Sequence, residues 1–200
     1  WALILGGSSG LGLATAKKLA CHGYHICIVH RNRKTEMEAI EREFENIRKN
    51  GVSLLSFNAD ACKEEEQEII AATLENVLKK SAKIHVLVHS LAKGNLKPMV
   101  SENQPTLKRD DFRLTIEAMA ISLYDWTKLL FDRQLFDPDA RIMSFTSEGN
   151  TRAWANYAAV SAAKTALEAI TRNIALEFAP YGIKANCIQA GITDTASFRA

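Results

Sequence analysis

Tyr157 and Lys164 stand seven residues apart, Ser147 lies ten residues before the tyrosine, and a glycine-rich turn, Gly6-Gly7-Ser8-Ser9-Gly10-Leu11-Gly12, comes early in the chain. A helix advances about 100° per residue, so a seven-residue step returns to nearly the same face, roughly 10 Å along the axis. A phenol and an ammonium so placed can look into one cleft. The phenol offers a hydroxyl to a developing oxyanion, and the ammonium offers a cation to a ribose or a phosphate. Taken alone, the pair is also compatible with an amphipathic helix carrying a packed tyrosine and a surface lysine. Its weight comes from its surroundings.

The elements that must hold these residues alternate in type. Apolar stretches of strand length occur at 2 to 5, 26 to 29, 52 to 57, 84 to 88, 142 to 145 and 184 to 188. Between them, stretches with helical periodicity run at about 11 to 22, 34 to 49, 63 to 80, 108 to 133 and 156 to 179. Strand and helix in alternation mean βαβ units and a parallel sheet with helices on both faces. The architecture expected is a Rossmann-type α/β fold, a doubly wound parallel sheet in the order 3-2-1-4-5-6 with a dinucleotide across the strand ends where that order reverses. Gly23, Gly51 and Gly182 fall at helix ends, and Pro180 follows the last long helix. The run from Lys93 to Pro105 reads as a loop after the fourth strand. Glu64, Glu65 and Glu66 suit a helix N-terminus and read as a solvated face.

The turn has the right neighbours for phosphate binding. Ala2 to Leu5 precedes it as a strand, and Leu13 to Ala20 follows as a helix. Glycines allow close approach of a pyrophosphate while the helix N-terminus supplies donors. An acid at the end of the second strand would bind the ribose hydroxyls of NAD, and a base would accommodate the 2′-phosphate of NADP. Here the residues are His30-Arg31-Asn32-Arg33, which favours NADP(H) and leaves NAD(H) open. Two readings of Asp60 stand side by side: acceptor for an adenine amino group, or helix N-cap before Glu64.

Composition narrows the field. Two hundred residues with 47% hydrophobic content predict one dinucleotide-binding and catalytic domain over 1–200. A net charge of +2 argues against nucleic acid or an acidic membrane as partner, and no run has membrane-spanning length. Cys21, Cys27, Cys62 and Cys187 lack metal spacing and read as reduced thiols of a cytoplasmic protein. Trp1 already edges an apolar run, so a few residues are expected to precede it.

Gly6, Gly10 and Gly12, Asp60, Ser147, Tyr157 with Lys164, and Asn186 through Thr195 together resemble the short-chain dehydrogenase/reductase superfamily over essentially the whole chain. Most of its members separate Tyr and Lys by three residues, but position 160 is Val. The six-residue separation is similar to the divergent enoyl-acyl carrier protein reductases. So are Val88-His89-Ser90-Leu91-Ala92 in place of Asn-Asn-Ala-Gly and Ala190-Gly191 in place of Pro-Gly. Glu117 or Ala118 falls where the usual structural Asn would be. Ser147 replaces the second tyrosine of many members of that branch and looks like its NADPH-dependent subgroup. Leu5 in place of Thr and Ser9 in place of a basic residue depart from the NADP-binding pattern.

The resemblance implies reduction of an enoyl thioester by hydride transfer to its β-carbon, in fatty-acid biosynthesis, with the acyl group on acyl carrier protein or coenzyme A. Tyr157 would donate to the thioester oxygen and Lys164 would hold the nicotinamide ribose; Ser147 either assists that oxygen or caps the fifth strand. The implied cofactor contacts are Gly6, Ser8, Ser9, Gly10, Leu11, Gly12, Arg31, Arg33, Asp60, Ala61, Ser90, Leu91, Ala92, Lys164, Ala190, Gly191, Ile192, Thr193 and Thr195. Thr195 would meet the carboxamide, and His89 reads as packing or as a cofactor edge before it reads as a base. The resemblance also implies a substrate lid and a seventh strand beyond Ala200, and a homodimer or homotetramer through the two long helices. A carbonyl reductase or alcohol dehydrogenase of the same superfamily is the second reading, and a non-catalytic dinucleotide-binding protein the third.

Overall fold

Strands covered on both faces need apolar side chains at every position rather than at alternate ones. In a computed structural model that describes residues 1–78, 82–191 and 193–195, β1 (Ala2–Leu5) and β2 (Ile26–His30) meet that condition, with every residue buried. They join β3 (Leu54–Asn58), β4 (Ile84–His89), β5 (Phe136–Thr146) and β6 (Lys184–Gln189) in one parallel sheet of order β3-β2-β1-β4-β5-β6. The expected order is the one found.

Helices α1 (Gly10–Cys21), α2 (Met37–Arg48), α3 (Glu64–Leu78), α4 (Arg109–Ile116), α5 (Ser122–Asp132) and α6 (Ala158–Glu177) cover the two faces. Strand alternation sends Leu3, Leu5, Cys27 and Val29 to one side, against Ile70 and Leu74 of α3, Trp126 of α5 and Leu167 of α6. Ala2, Ile4, Ile26 and Ile28 go to the other, beneath Ala16 and Ala20 of α1 and Phe44 and Ile47 of α2. Trp126, wholly buried, donates its indole N–H to the Ala61 carbonyl at 2.8 Å, so its polar atom is satisfied. The four cysteines are unpaired; Cys27 is buried and Cys21 exposed.

Three departures from the sequence expectation bear on the site and its support. The stretch 108 to 133 is two helices joined by a π-helical turn, Glu117–Ile121, which contains neither Gly nor Pro. Ser122, the residue after it, donates through Oγ to the Ala118 carbonyl at 2.9 Å and lies 2.8 Å from His89 Nε2 on β4. β5 starts at Phe136, six residues early, because a register shift between Ile84↔Phe136 and Val86↔Arg141 lets it absorb Asp137, Pro138 and Asp139. Finally, α6 starts at Ala158, so Tyr157 occupies its N-cap position rather than its first turn.

Candidate active site

The C-terminal ends of β1 and β4 meet where the strand order reverses, and the glycine turn is built into that junction. Gly6 donates its N–H to the Val29 carbonyl, and Ser90 donates to the Leu5 carbonyl, each at 2.8 Å. A Cβ on Gly6 would lie 2.5 Å from the Ser90 carbonyl oxygen, and one on Gly12 would lie 2.2 Å from the Gly6 oxygen. Those distances exclude any side chain. Among the described residues, Gly10, at φ +54°, faces Thr195, whose methyl would be 3.6 Å from an added Cβ. Ser9 precedes α1 without capping it, and the first turn carries no acid. The backbone donors of that turn and the dipole behind them therefore suit an anionic group, and the residues present fit a dinucleotide pyrophosphate. Ser8 and Leu11 flank this cradle, half-buried. Leu91 packs beside Gly6, while Ala92 is exposed.

At the end of β2 the structure joins two of the expected cofactor residues to each other. Arg31 bonds Asp60 at 2.6 Å, and Lys93 lies 3.7 Å from the same carboxylate. Asp60 does not cap α3; its other oxygen accepts the Cys62 N–H at 3.1 Å. Burial pushes this carboxyl up, but the Cys62 N–H and the charges of Lys93 and Arg31 outweigh it and hold the group below its ordinary range. Arg33 is exposed, and its backbone N–H donates to Glu36 at 2.8 Å. The acidic run is not wholly solvated either, because Glu66 reaches back to the Asp60 N–H at 2.5 Å. Ala61 is buried and presents its carbonyl to Gln67 and Trp126.

Beyond β5 the chain turns through Glu148–Asn150 and then enters α6. Ser147 Oγ lies 3.3 Å from the Tyr157 hydroxyl and makes no capping bond to the short turn that follows it. The tyrosine ring packs edge-on against Trp154 at 5.2 Å between centroids. The ring also lies against Gly149, where a Cβ would fall 2.3 Å from it, and packs on the cluster of Ala118, Met119, Val160 and Ala163. Lys164, 8% exposed, donates to the Phe145 carbonyl at 2.5 Å. Burial lowers this ammonium to about 8, against the opposing influence of Cys187 and Glu168. Val160, where a three-residue spacing would put the tyrosine, is buried with Ala118, Met119 and Ala163.

His89 is fully buried. Since Ser122 Oγ gives its proton to Ala118, the imidazole must donate through Nε2–H, and Nδ1 is left without a partner among the described residues. Burial, with the Lys164 charge second, lowers it to about 3, so it is neutral and in no position to accept a proton at ordinary pH. After β6, Ala190, Gly191, Thr193 and Thr195 lead back toward α1; Thr193 Oγ1 donates to the Gly191 carbonyl at 3.0 Å. Ile192 lies outside the described residues. Sequence reasoning missed Gly149, Ser122 and Glu168. Only Glu168 had a readable signal, its place one helical turn after Lys164.

A family model described as "Enoyl-(Acyl carrier protein) reductase" matches residues 6–200. The chain is 27% identical over 195 residues to 1-cyclohexenylcarbonyl-CoA reductase of Streptomyces collinus, covering 98% of this chain and 65% of that protein, just under two thirds of its length. It is 26% identical to 3-oxoacyl-[acyl-carrier-protein] reductase of Synechocystis, over 97% of this chain and 74% of that one. Among solved structures, NAD+-bound xylitol dehydrogenase superposes with a TM-score of 0.78 at 28% identity, over 95% of this chain and 69% of that one.

Proposed function

The chain belongs to the short-chain dehydrogenase/reductase superfamily, and from that premise we propose that it reduces the carbon–carbon double bond of an α,β-unsaturated acyl thioester with NADPH. The observation that carries this reading is the Tyr157 hydroxyl 3.3 Å from Ser147 Oγ, seven residues before Lys164, with the alternative tyrosine position filled by buried Val160. A bound nicotinamide dinucleotide supplies the hydride. The glycine turn and the N-terminus of α1 would hold its pyrophosphate. Asp60 and Arg31 would border its adenosine, and Lys164 its second ribose.

As hydride reaches the β-carbon, negative charge grows on the thioester oxygen. Tyr157 donates a hydrogen bond there, and Ser147 keeps the phenol oriented or shares the oxygen. Lys164 supports both while it remains an ammonium, so turnover should fall as pH rises through about 8. The polar and apolar parts of the site divide accordingly. Trp154 and Gly149 fix the tyrosine ring, and the hydroxyl alone faces the reaction.

A ketone substrate is the second reading, favoured by the similarity to a 3-oxoacyl thioester reductase at nearly the same identity. An assay of NADPH oxidation with a crotonyl thioester beside a β-ketoacyl thioester separates the two. Turnover of the crotonyl thioester is expected; turnover of only the ketone would replace this reading with the second. Residues 1–200 would act as one catalytic domain of a cytoplasmic homo-oligomer, its acyl group carried by coenzyme A or acyl carrier protein in fatty-acid synthesis. No described helix is long and apolar enough to cross a membrane.

A further inference from the structure

One face of α6 does more than carry Lys164. Ser161, Lys164, Thr165 and Glu168 recur at helical spacing, and each bonds the last residues of β5 or the segment that leaves it. Ser161 Oγ donates to the Gly149 carbonyl, Lys164 Nζ to the Phe145 carbonyl at 2.5 Å, and Thr165 Oγ1 lies 3.3 Å from the Asn150 carbonyl. Glu168 completes the stripe from the carboxylate side. Its Oε1 accepts the Thr146 hydroxyl at 2.5 Å and also the Asn150 side-chain amide. Thr146 is the last residue of β5 and Asn150 the last of the short turn after it, so the two donors bracket Ser147 and Gly149.

We propose that Glu168 is a positioning residue: by accepting from Thr146 and Asn150 together, it clamps the segment bearing Ser147, and the glycine on which the Tyr157 ring rests, onto the helix that carries Lys164. The inference rests on reading Ser147, Tyr157 and Lys164 as the reacting site. A carboxylate suits the task because it is acceptor-only and takes two donors without orienting a proton of its own. Fixing both ends of a short span fixes what lies between, and a displacement of about 1 Å at a reacting group costs roughly a hundredfold in rate. The same carboxylate also bears on Lys164 as a charge. The titratable groups that influence that ammonium are Glu168 on α6, Cys187 on β6 and His89 on β4, the last of them neutral. Glu168 opposes the effect of burial on Lys164, so removing its charge should let the ammonium lose its proton at lower pH.

Glu168→Gln and Glu168→Ala separate the two effects, since the amide oxygen of Gln can still accept both donors and Ala can accept neither. Three quantities are read in each variant and in the parent: amide hydrogen exchange over residues 147–151 without cofactor, the NADPH dissociation constant, and the pH profile of crotonyl-thioester turnover. Glu168→Ala should speed exchange over 147–151 and lower turnover about tenfold or more, with NADPH affinity within about twofold. Glu168→Gln should restore slow exchange and most of the turnover at pH 6, but its alkaline limb should move to lower pH than in the parent. Parental exchange in Glu168→Ala, or exchange in Glu168→Gln as fast as in Glu168→Ala, would overturn the clamp. If Glu168→Ala does not fold, the exchange and pH profile of Glu168→Gln decide alone: parental exchange with a shifted limb supports the assignment, and fast exchange or an unmoved limb overturns it. A parent inactive on every thioester would instead sink the reductase reading, while the exchange comparison would still judge the clamp.

Discussion

Taking one oxygen atom from Tyr157 separates a reacting hydroxyl from a packed ring, because Tyr157→Phe keeps the contacts with Trp154 and Gly149. Turnover should fall about a hundredfold or more with NADPH binding retained, the size of effect seen when an oxyanion donor is lost. Full activity in steady-state assays would remove the phenol from the mechanism. Arg31 and Arg33 pose a different question. A guanidinium–phosphate contact stabilises by roughly 1.5 to 3 kcal/mol, so replacing both with Ala should weaken NADPH binding about tenfold or more and leave NADH nearly unchanged. The bond from Arg31 to Asp60 already fixes where one of those cations stands. Equal losses for the two cofactors in titration calorimetry would assign the arginines to the fold instead.

Elements respond to acid through His89, which ties β4 to the π-helical turn by way of Ser122. Its folded pKa lies near 3, below the ordinary 6.5, so between those values the unfolded chain binds a proton that the folded one refuses. Stability should therefore decline as pH drops below about 6.5, by up to about 1.4 kcal/mol per pH unit from this group. His89→Asn keeps a donor for Ser122 and removes the titration, so urea unfolding at pH 5 and 7 should show a smaller difference than in the parent. Identical differences would place the acid sensitivity elsewhere, His30 being the other buried histidine. The same π-helical turn shows where the sequence stopped being legible. Glu117 to Ile121 contains ordinary helix formers, and the serine that follows them meets a histidine on a distant strand. Likewise Asp137, Pro138 and Asp139 read as breakers, yet a bulge lets β5 carry them. By contrast, apolar runs of strand length gave all six strands, and a local spacing pointed to Tyr157 and Lys164. What depends on neighbours in sequence was readable, including the place of Glu168 one turn after Lys164; its bonds to Thr146 and Asn150 were not.

At the scale of the molecule, apolar side chains remain outside the sheet and its two cores. Ile121 and Tyr124, on the π-helical turn and α5, are 43% and 46% exposed, and Leu176 near the end of α6 is 74% exposed. These are the two long helical regions expected to form an interface, and close packing of a second copy would remove that surface from water. Light scattering at micromolar concentration should give at least twice the chain mass, and Ile121→Asp with Tyr124→Asp should shift it toward one chain. A parent with the mass of a single chain would contradict the interface.

The strand order has a consequence in the time domain. β1 and β4 lie side by side, Ala2 against Val86, although α1, β2, α2, β3 and α3 intervene in the chain. The glycine turn obtains its floor from Ser90 only after that long loop has closed, and closing it must be compensated by the very contacts it brings together. A nascent or unravelling chain can thus hold its α1–β2 unit without holding a dinucleotide cradle. If that turn holds the cofactor as proposed, competence for it would arrive with the most non-local pairing in the central sheet, and depart with it.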